Sequence, residues 1–264
     1  MSVYQIEIES QNPKDRMVSV TLLQTLLSVL IEGSKGALRL RTEGRSNARG
    51  VPPQWLQVAT QFSMELQGGK LDVESPTLYE AGAELFQQSD WFEELDFERT
   101  SFDYFQESLI AALSDEMADS LYDKHLLEEF QRFRHVFNNG AKSIHFLDEN
   151  GLQITPDTIT VFKELAASIP FPRQVKVAGK LEEIRTIDQT FELITAQGEH
   201  VVKGIAKHIA PQEVNALLSK DVLISGTAYF TKSGKILRIE VEQLSTAGAR
   251  DLASWGKLPM PMLY

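Results

Sequence analysis

The sequence predicts an α+β protein in which a mixed N-terminal domain precedes a small C-terminal β-barrel. Three observations predict this fold. Apolar side chains recur at helical spacing through residues 76–139, apolar and polar side chains alternate through residues 175–206, and the Pro-rich segment "PFPRQ" separates the two patterns. The predicted organisation is therefore a mixed α+β domain at 1–169, a linker at 170–174, a barrel at 175–244 and a C-terminal tail at 245–264.

The first part of the N-terminal domain mixes strand and helix patterns. "VYQIEIES" alternates and predicts a strand, and the apolar segment after it predicts a helix that begins at Asp15 and stops at Gly33. "ALRLRTEG" alternates again and predicts a second strand. "FSMELQGGKLDVES" alternates on both sides of Gly68-Gly69, which predicts a β-hairpin.

The second part of this domain is predominantly helical. "SPTLYEAGAELFQQ" predicts a helix with Ser75 as its cap and Pro76 at its first position. Two further helical patterns follow, and the second ends at "NNG", a common helix stop. A hairpin around Gly151 and a helix in "PDTITVFKELAASIP" complete the predicted domain.

The C-terminal domain is predicted as three strands, a short helix and two more strands. A break at "RTIDQ" separates the first two strands, and Gln197-Gly198 turns the chain into the third. "TKSG" joins the last two strands. The predicted elements are Val175 to Arg185, Phe191 to Ala196, His200 to Ala206, the helix Pro211 to Leu218, "DVLISGTAYF" and "KILRIEVEQL".

This order resembles the OB-fold, a five-stranded Greek-key barrel with a helix between strands three and four. Gly179, in the middle of the long first strand, suits the sharp bend that such a barrel requires. A five-stranded SH3-like barrel or a meander would alternate similarly. The resemblance implies binding of single-stranded nucleic acid, oligosaccharides or proteins. It places the binding surface on Thr186 to Gln189, on strands 191–206 and on Thr231 to Lys235.

The net charge of −11 is distributed unevenly. Residues 71–129 contain 17 acidic residues but only Arg99 and Lys124 as bases, so this section carries −15 and the remaining chain +4. Such a section repels nucleic acid and favours a basic partner. The alternative interpretation is a solvated helical face that keeps the protein soluble.

The favoured function is non-catalytic binding of a basic protein partner, as in an inhibitor, an antitoxin-like protein or an assembly component. Acidic residues surround aromatic rings in "FQQSDWFEELDFERTSFDYF", an arrangement that suits docking of a basic, partly apolar surface. The predicted protein-binding residues are Trp91, Phe92, Glu93, Glu94 and Asp96.

Two alternative functions remain open from the sequence. The first is single-stranded nucleic-acid binding by the barrel. The predicted contacts are four basic residues and one exposed aromatic residue: Lys203, Tyr229, Lys232, Lys235 and Arg238. From residue 171 onwards there are 12 basic and 10 acidic residues, a weak positive balance for a phosphate groove. The second is an enzyme with a site at the domain junction.

A basic patch in "KGALRLRTEGRSNARG" carries five cations against Glu43: Lys35, Arg39, Arg41, Arg45 and Arg49. Such a patch binds phosphates or pairs internally with the acidic section, and we favour internal pairing.

Motifs for common chemistries are absent from the sequence. The chain has no cysteine, Walker loop, dinucleotide fingerprint, HExxH or nucleophile elbow. We therefore predict no catalytic residues, metal ligands or cofactors, and interpret His125 with Glu128 and Glu129 as a helix-surface pair. The apolar stretch from Met17 to Ile31 is too short to span a membrane. The N-terminus lacks a secretory signal, so we expect a cytoplasmic protein.

Overall fold

The computed structural model describes residues 1–11, 18–86, 95–114, 119–148, 151–185, 189–196 and 200–261. It divides the chain into two compact units, Met1–Ala167 and Ser168–Tyr264. Helices and a sheet form the first unit, and a closed five-stranded barrel forms the core of the second. The predicted α+β class is confirmed.

The N-terminal unit contains an antiparallel sheet with strand order β2-β3-β1-β4-β5. Its strands are β1 (Ser2–Ser10), β2 (Ser63–Gln67), β3 (Lys70–Ser75), β4 (Ala141–Phe146) and β5 (Gln153–Ile154). Its helices are α1 (Val20–Glu43), α2 (Gln54–Ala59), α3 (Leu78–Phe86), α4 (Ser101–Leu113), α5 (Lys124–Phe130), α6 (Phe133–Asn138) and α7 (Pro156–Ser168).

One face of this sheet forms the core with the helices. Ile6 and Ile8 of β1 are buried on that face, beside Leu71 and Val73 of β3. Aromatic rings continue the core from the sheet through the helices, with centroids 5.5–6.3 Å apart along the chain of neighbours Phe146, Phe105, Phe130 and Phe162. These spacings are typical of packed aromatic pairs.

Helix α1 differs from its prediction at both ends. It begins at Val20, where the Ser19 hydroxyl accepts a hydrogen bond from the Leu22 amide; Asp15 lies outside the described residues. It continues through Gly33 to Glu43, so the prediction of a stop at Gly33 and of a strand at "ALRLRTEG" is wrong. Gly33 lies where α1 meets α4: an added Cβ would stand 2.5 Å from a Phe105 ring carbon.

The alternating pattern in this part of α1 is misleading because the helix is buried all round. Leu38 and Leu40 are buried as expected for core residues, but Arg39 and Arg41 between them are buried as well. A helix that is surrounded by protein need not have one apolar and one polar face. Alternation of apolar and polar residues in its sequence therefore does not indicate a strand. Gly44 ends the helix with φ of 69°, a left-handed conformation that glycine adopts readily.

The C-terminal unit is a closed barrel with strand order β10-β8-β7-β6-β9. The first to fifth strands of the barrel, in chain order, are β6 (Arg173–Arg185), β7 (Thr190–Thr195), β8 (Val201–Ile205), β9 (Asp221–Phe230) and β10 (Ile236–Thr246). The fifth strand inserts between the third and the fourth, and it pairs with the third in parallel. The predicted OB-like barrel is confirmed.

Two helices belong to this unit, α8 (Pro211–Asn215) and α9 (Ala249–Trp255). Helix α8 lies between the third and fourth strands, where an OB-fold has its helix, and Val214 joins the barrel core. In β6, Gly179 passes so close to β7 that an added Cβ would stand 2.2 Å from the Ile194 carbonyl oxygen. The mid-strand glycine therefore permits close backbone approach at the bend.

The described part of the C-terminal tail docks on its own barrel, one of the two alternatives that the sequence left open. Leu258 packs against the barrel core, and the Arg173 guanidinium donates a 2.9 Å hydrogen bond to the Met260 carbonyl. Pro261 lies beside Gly234 in the turn between β9 and β10. The tail thus crosses the end of the barrel at which β6 begins.

Candidate functional site

The predicted protein-binding segment is described only at its C-terminal end. Trp91, Phe92, Glu93 and Glu94 lie outside the described residues, and Asp96 is exposed. The Asp96 amide donates a 2.8 Å hydrogen bond to the Tyr104 hydroxyl. Because Tyr104 belongs to α4 and is buried, this bond fixes the chain where it leaves the segment.

Several carboxylates of the acidic section have local structural partners. Asp103 accepts from the Thr100 amide and completes a capping box at the start of α4. Asp123 caps α5 through the Leu126 amide and also accepts from the Ser46 amide at 3.0 Å. These carboxylates hold the helices in place, so only part of the section's negative charge forms a solvated face.

Within the basic patch, Arg41 pairs with the acidic section, as favoured from the sequence, whereas Arg39 and Arg45 pair with Glu43 of the patch itself. The Arg41 Nη2 lies 2.7 Å from Glu107 Oε2, which joins the patch to the acidic section. Arg41 and Arg99 both stack on the Tyr104 ring, with their Cζ atoms 4.8 and 4.6 Å from its centroid. Burial lowers the pKa of the Arg41 guanidinium, while Glu107 opposes that shift.

The face of the N-terminal sheet opposite the core carries five carboxylates. Alternation within each strand and the register between strands bring together residues that are far apart in sequence. Two lysines, Lys70 and Lys142, belong to the same region. We call this surface the open sheet face and define it by its acidic residues: Glu7, Glu9, Glu65, Asp72 and Glu74.

The open sheet face was missed by sequence reasoning. A signal was present, because acids alternate with core residues in "IEIES" and "LDVES". Strand alternation places all such acids on one side of their own strand, but only the pairing of β1 with β3 puts the two sets side by side. On this face Glu9 binds Lys142 Nζ at 2.7 Å, and this contact lowers the pKa of the Glu9 carboxyl.

The edge strand β2 extends the apolar core face beyond the helices. Met64 is paired with Val73, which is buried, yet Met64 itself is 50% exposed. Leu66 likewise pairs with buried Leu71 and is 37% exposed. An exposed edge strand offers its unpaired backbone N–H and C=O groups to a further strand. Strand β2 is short, as edge strands often are.

A serine, a histidine and a carboxylate meet on the open sheet face but do not form a catalytic relay. The Ser143 hydroxyl donates to Glu9 at 2.6 Å and lies 2.8 Å from His145 Nε2. In a nucleophile–base–acid relay the acid contacts the second ring nitrogen of the histidine. Here Glu9 lies on the same side as the serine, 3.9 Å from Nε2, and Ser143 is buried.

Three of the residues predicted to bind nucleic acid lie in one row across the outside of the barrel. Tyr229 of β9 pairs with Arg238 of β10, and the Arg238 Cζ lies 3.8 Å from the Tyr229 ring centroid. Strands β8 and β10 are parallel, and Gly204 pairs with Ile239. The residues immediately before this pair, Lys203 and Arg238, are therefore neighbours as well. We call Lys203, Arg238 and Tyr229 the barrel row.

The barrel row is partly neutralised and partly covered. Arg238 is buried, whereas Tyr229 and Lys203 are half-exposed. Glu192 faces Lys203 across β7 and β8, and Glu240 accepts a 3.2 Å hydrogen bond from the Tyr229 hydroxyl. Burial, with Glu240 adding to it, raises the pKa of Tyr229. The other two predicted contacts, Lys232 and Lys235, are exposed in the turn after β9.

His125 forms the predicted surface pair with Glu128, at 3.2 Å and with both side chains about half exposed. Across the described ranges, no group of three or more His, Cys, Asp or Glu side chains is placed to hold a metal ion. No helix within the described part of the chain is long and apolar enough to cross a lipid bilayer.

Comparison of the chain with protein-family models, curated proteins and solved structures finds no match.

Proposed function

We propose that the protein is a non-catalytic binding protein whose N-terminal unit engages a basic protein partner. An inhibitor, an antitoxin-like protein and an assembly component all have this property. The observation that supports the proposal most directly is the open sheet face, on which five carboxylates accompany two lysines. The predicted segment Trp91 to Asp96, with its aromatic residues, is a second candidate contact.

Charge balance on the open sheet face favours a cationic surface as its counterpart. Lys142 is engaged by Glu9, and the Gln67 side chain donates to Glu65 at 2.6 Å. Among the five carboxylates, Glu65 is exposed and the other four are half-exposed. Complementary charge accelerates association and selects the partner, and its effect declines as salt is added.

Neutralising the open sheet face is expected to weaken partner binding by roughly tenfold at low salt. The variant Glu65→Gln/Asp72→Asn/Glu74→Gln removes three negative charges from the face. A matched control, Asp157→Asn/Glu164→Gln/Glu213→Gln, removes three from exposed positions elsewhere. Partners are recovered from native extract by affinity capture and identified, and the affinity of each is then measured with purified proteins across a salt series.

The two variants separate the proposal from general electrostatic attraction. A partner with a basic surface, retained by the control and lost by the face variant, is the expected result. Equal loss in both variants, or a partner with an acidic surface, contradicts the proposal. A third variant, Trp91→Ala/Glu93→Gln/Glu94→Gln, tests the predicted aromatic segment separately.

The second candidate function is single-stranded nucleic-acid binding by the barrel. The barrel row supports it, because an aromatic ring stacked on arginine beside lysine is a common platform for a base and its phosphate. The exposed Lys232 and Lys235 extend the positive charge along the turn that OB-folds use for ligands.

Lys203→Ala/Lys235→Ala is expected to lower affinity for a labelled single-stranded oligonucleotide by roughly tenfold, because two phosphate contacts are removed. Fluorescence anisotropy measures binding from low to moderate salt. The control Lys163→Ala/Lys220→Ala removes the same charge from other exposed positions. Absence of binding by the wild-type protein at low salt, or equal loss in both variants, eliminates this function.

A further inference from the structure

The N-terminal unit contains a cavity of about 580 Å³ that neither proposed function uses. Its volume lies within the range of small-molecule sites. Helix α1 forms one wall, α5 with Arg132 forms the opposite wall, and residues 46–52 with α2 form the third. Leu56 and Leu126 lie in its lining, but both are at most 1% exposed and present almost no surface to it.

The cations at the rim of this cavity are each matched by an acid of their own. Lys35 Nζ lies 2.8 Å from Glu32, and Arg132 Nη1 lies 2.5 Å from Glu129. His125 pairs with Glu128 as described above. All three pairs join residues three positions apart, with side chains that are exposed or partly exposed. With His125 counted as neutral, the rim carries one excess negative charge, on the half-exposed Glu128.

The interior wall is different, because two buried guanidinium groups share one carboxylate. Arg39 Nε lies 3.1 Å from Glu43 Oε1, while Arg45 donates to Glu43 Oε2 through Nε at 2.9 Å and Nη2 at 2.8 Å. All three side chains are at most 10% exposed. Two positive charges against one negative charge leave this buried triad with a net charge of +1.

Arg39 is the member of the triad that lines the cavity. Glu43 anchors its Nε, and Nη1 has only a 3.5 Å contact with the Ala48 carbonyl, at the limit of hydrogen bonding. Burying a charged group away from water costs free energy unless an opposite charge compensates it. A planar guanidinium fixed at one nitrogen presents its remaining N–H groups to a carboxylate or a phosphate.

The geometry points to a binding site for a small organic anion in this cavity, with its carboxylate or phosphate group on Arg39. The anion supplies the negative charge that the Arg39–Glu43–Arg45 triad lacks. This site is independent of the open sheet face and of the barrel row.

Three probes test the site on the full-length protein: benzoate, phenyl phosphate and the neutral benzyl alcohol, at ionic strength matched with sodium chloride. Isothermal titration calorimetry measures their binding. Saturable binding of benzoate or phenyl phosphate in the millimolar range or tighter, with no binding of benzyl alcohol, is the expected result and identifies the preferred head group. Absence of binding by both anions, or equal binding of the neutral probe, overturns the proposal.

Variants locate the bound anion. Ala48→Phe fills the cavity from a half-exposed loop position and is expected to weaken binding at least about tenfold. Arg45→Gln leaves Arg39 and Glu43 as a balanced pair, and it is expected to weaken binding to a similar degree although Arg45 does not line the cavity. The control Arg49→Gln removes an exposed charge from the same loop and is expected to leave affinity unchanged.

Ala48→Phe decides the outcome if Arg45→Gln does not fold. Unchanged affinity in Ala48→Phe shows that the anion binds elsewhere and overturns the assignment. A loss in Arg49→Gln equal to that in Arg45→Gln shows general attraction to positive charge and overturns it as well.

Discussion

Replacing Glu43 with leucine is expected to destabilise the N-terminal unit by about 3–5 kcal/mol, since removing one partner of a buried ionic group leaves the others uncompensated. Here the loss is shared by Arg39 and Arg45, both buried and both bound to Glu43. Leucine has a similar volume, so the effect arises from charge rather than from a cavity.

Urea denaturation followed by tryptophan fluorescence measures this effect. Trp255 belongs to the other unit, so a Trp255→Phe background restricts the signal to the N-terminal unit. Glu128→Leu is the matched control: it breaks an exposed pair with His125 and is expected to cost at most about 1 kcal/mol. Equal costs for the two variants would show that the triad contributes no more than a surface pair.

Gly179→Ala is expected to destabilise the C-terminal barrel by about 3 kcal/mol or more. The added methyl group would stand 2.2 Å from the Ile194 carbonyl oxygen and 2.9 Å from the Thr195 Cα, and both are backbone atoms that cannot rotate away. Strands β6 and β7 would have to separate at the bend, and this overpacking disrupts their hydrogen bonds.

A background with Trp55→Phe and Trp91→Phe leaves Trp255 as the fluorescence reporter of the C-terminal unit. Gly248→Ala is the control, because an added Cβ there stands 3.6 Å from its nearest neighbour, an ordinary contact. Its expected effect is within about 0.5 kcal/mol. A Gly179 variant as stable as this control would mean that β6 passes β7 less closely than described.

The barrel was predictable because most of its strand residues are buried on the inner side and exposed on the outer side. Alternation marks such strands directly, and Gly179 marked the bend of the first strand. The end of α1 was not predictable by the same reasoning, because Leu38 and Arg39 are both buried there and burial no longer follows polarity. Tertiary packing against α4 also overrides the usual role of a glycine such as Gly33 as a helix stop.

The candidate surfaces also divide into those that were predictable from the sequence and those that were not. Pairing of the basic patch with the acidic section was predictable from the uneven distribution of charge along the sequence, and the Arg41–Glu107 pair is an example. The open sheet face depends on register between strands separated by more than sixty residues along the chain, as in the pairing of Gln5 with Asp72. The sharing of Glu43 by Arg39 and Arg45 depends on the turn after α1, and no pattern in the sequence specifies it.

The parallel pairing of β8 with β10 has a consequence for biosynthesis. Until β10 has left the ribosome, β8 and β9 are the open edges of an incomplete four-stranded sheet, and exposed edges recruit other chains. The N-terminal unit, ending at Ala167, can fold much earlier. A chain in which β9 has emerged and β10 has not is therefore expected to be the species most in need of chaperone protection.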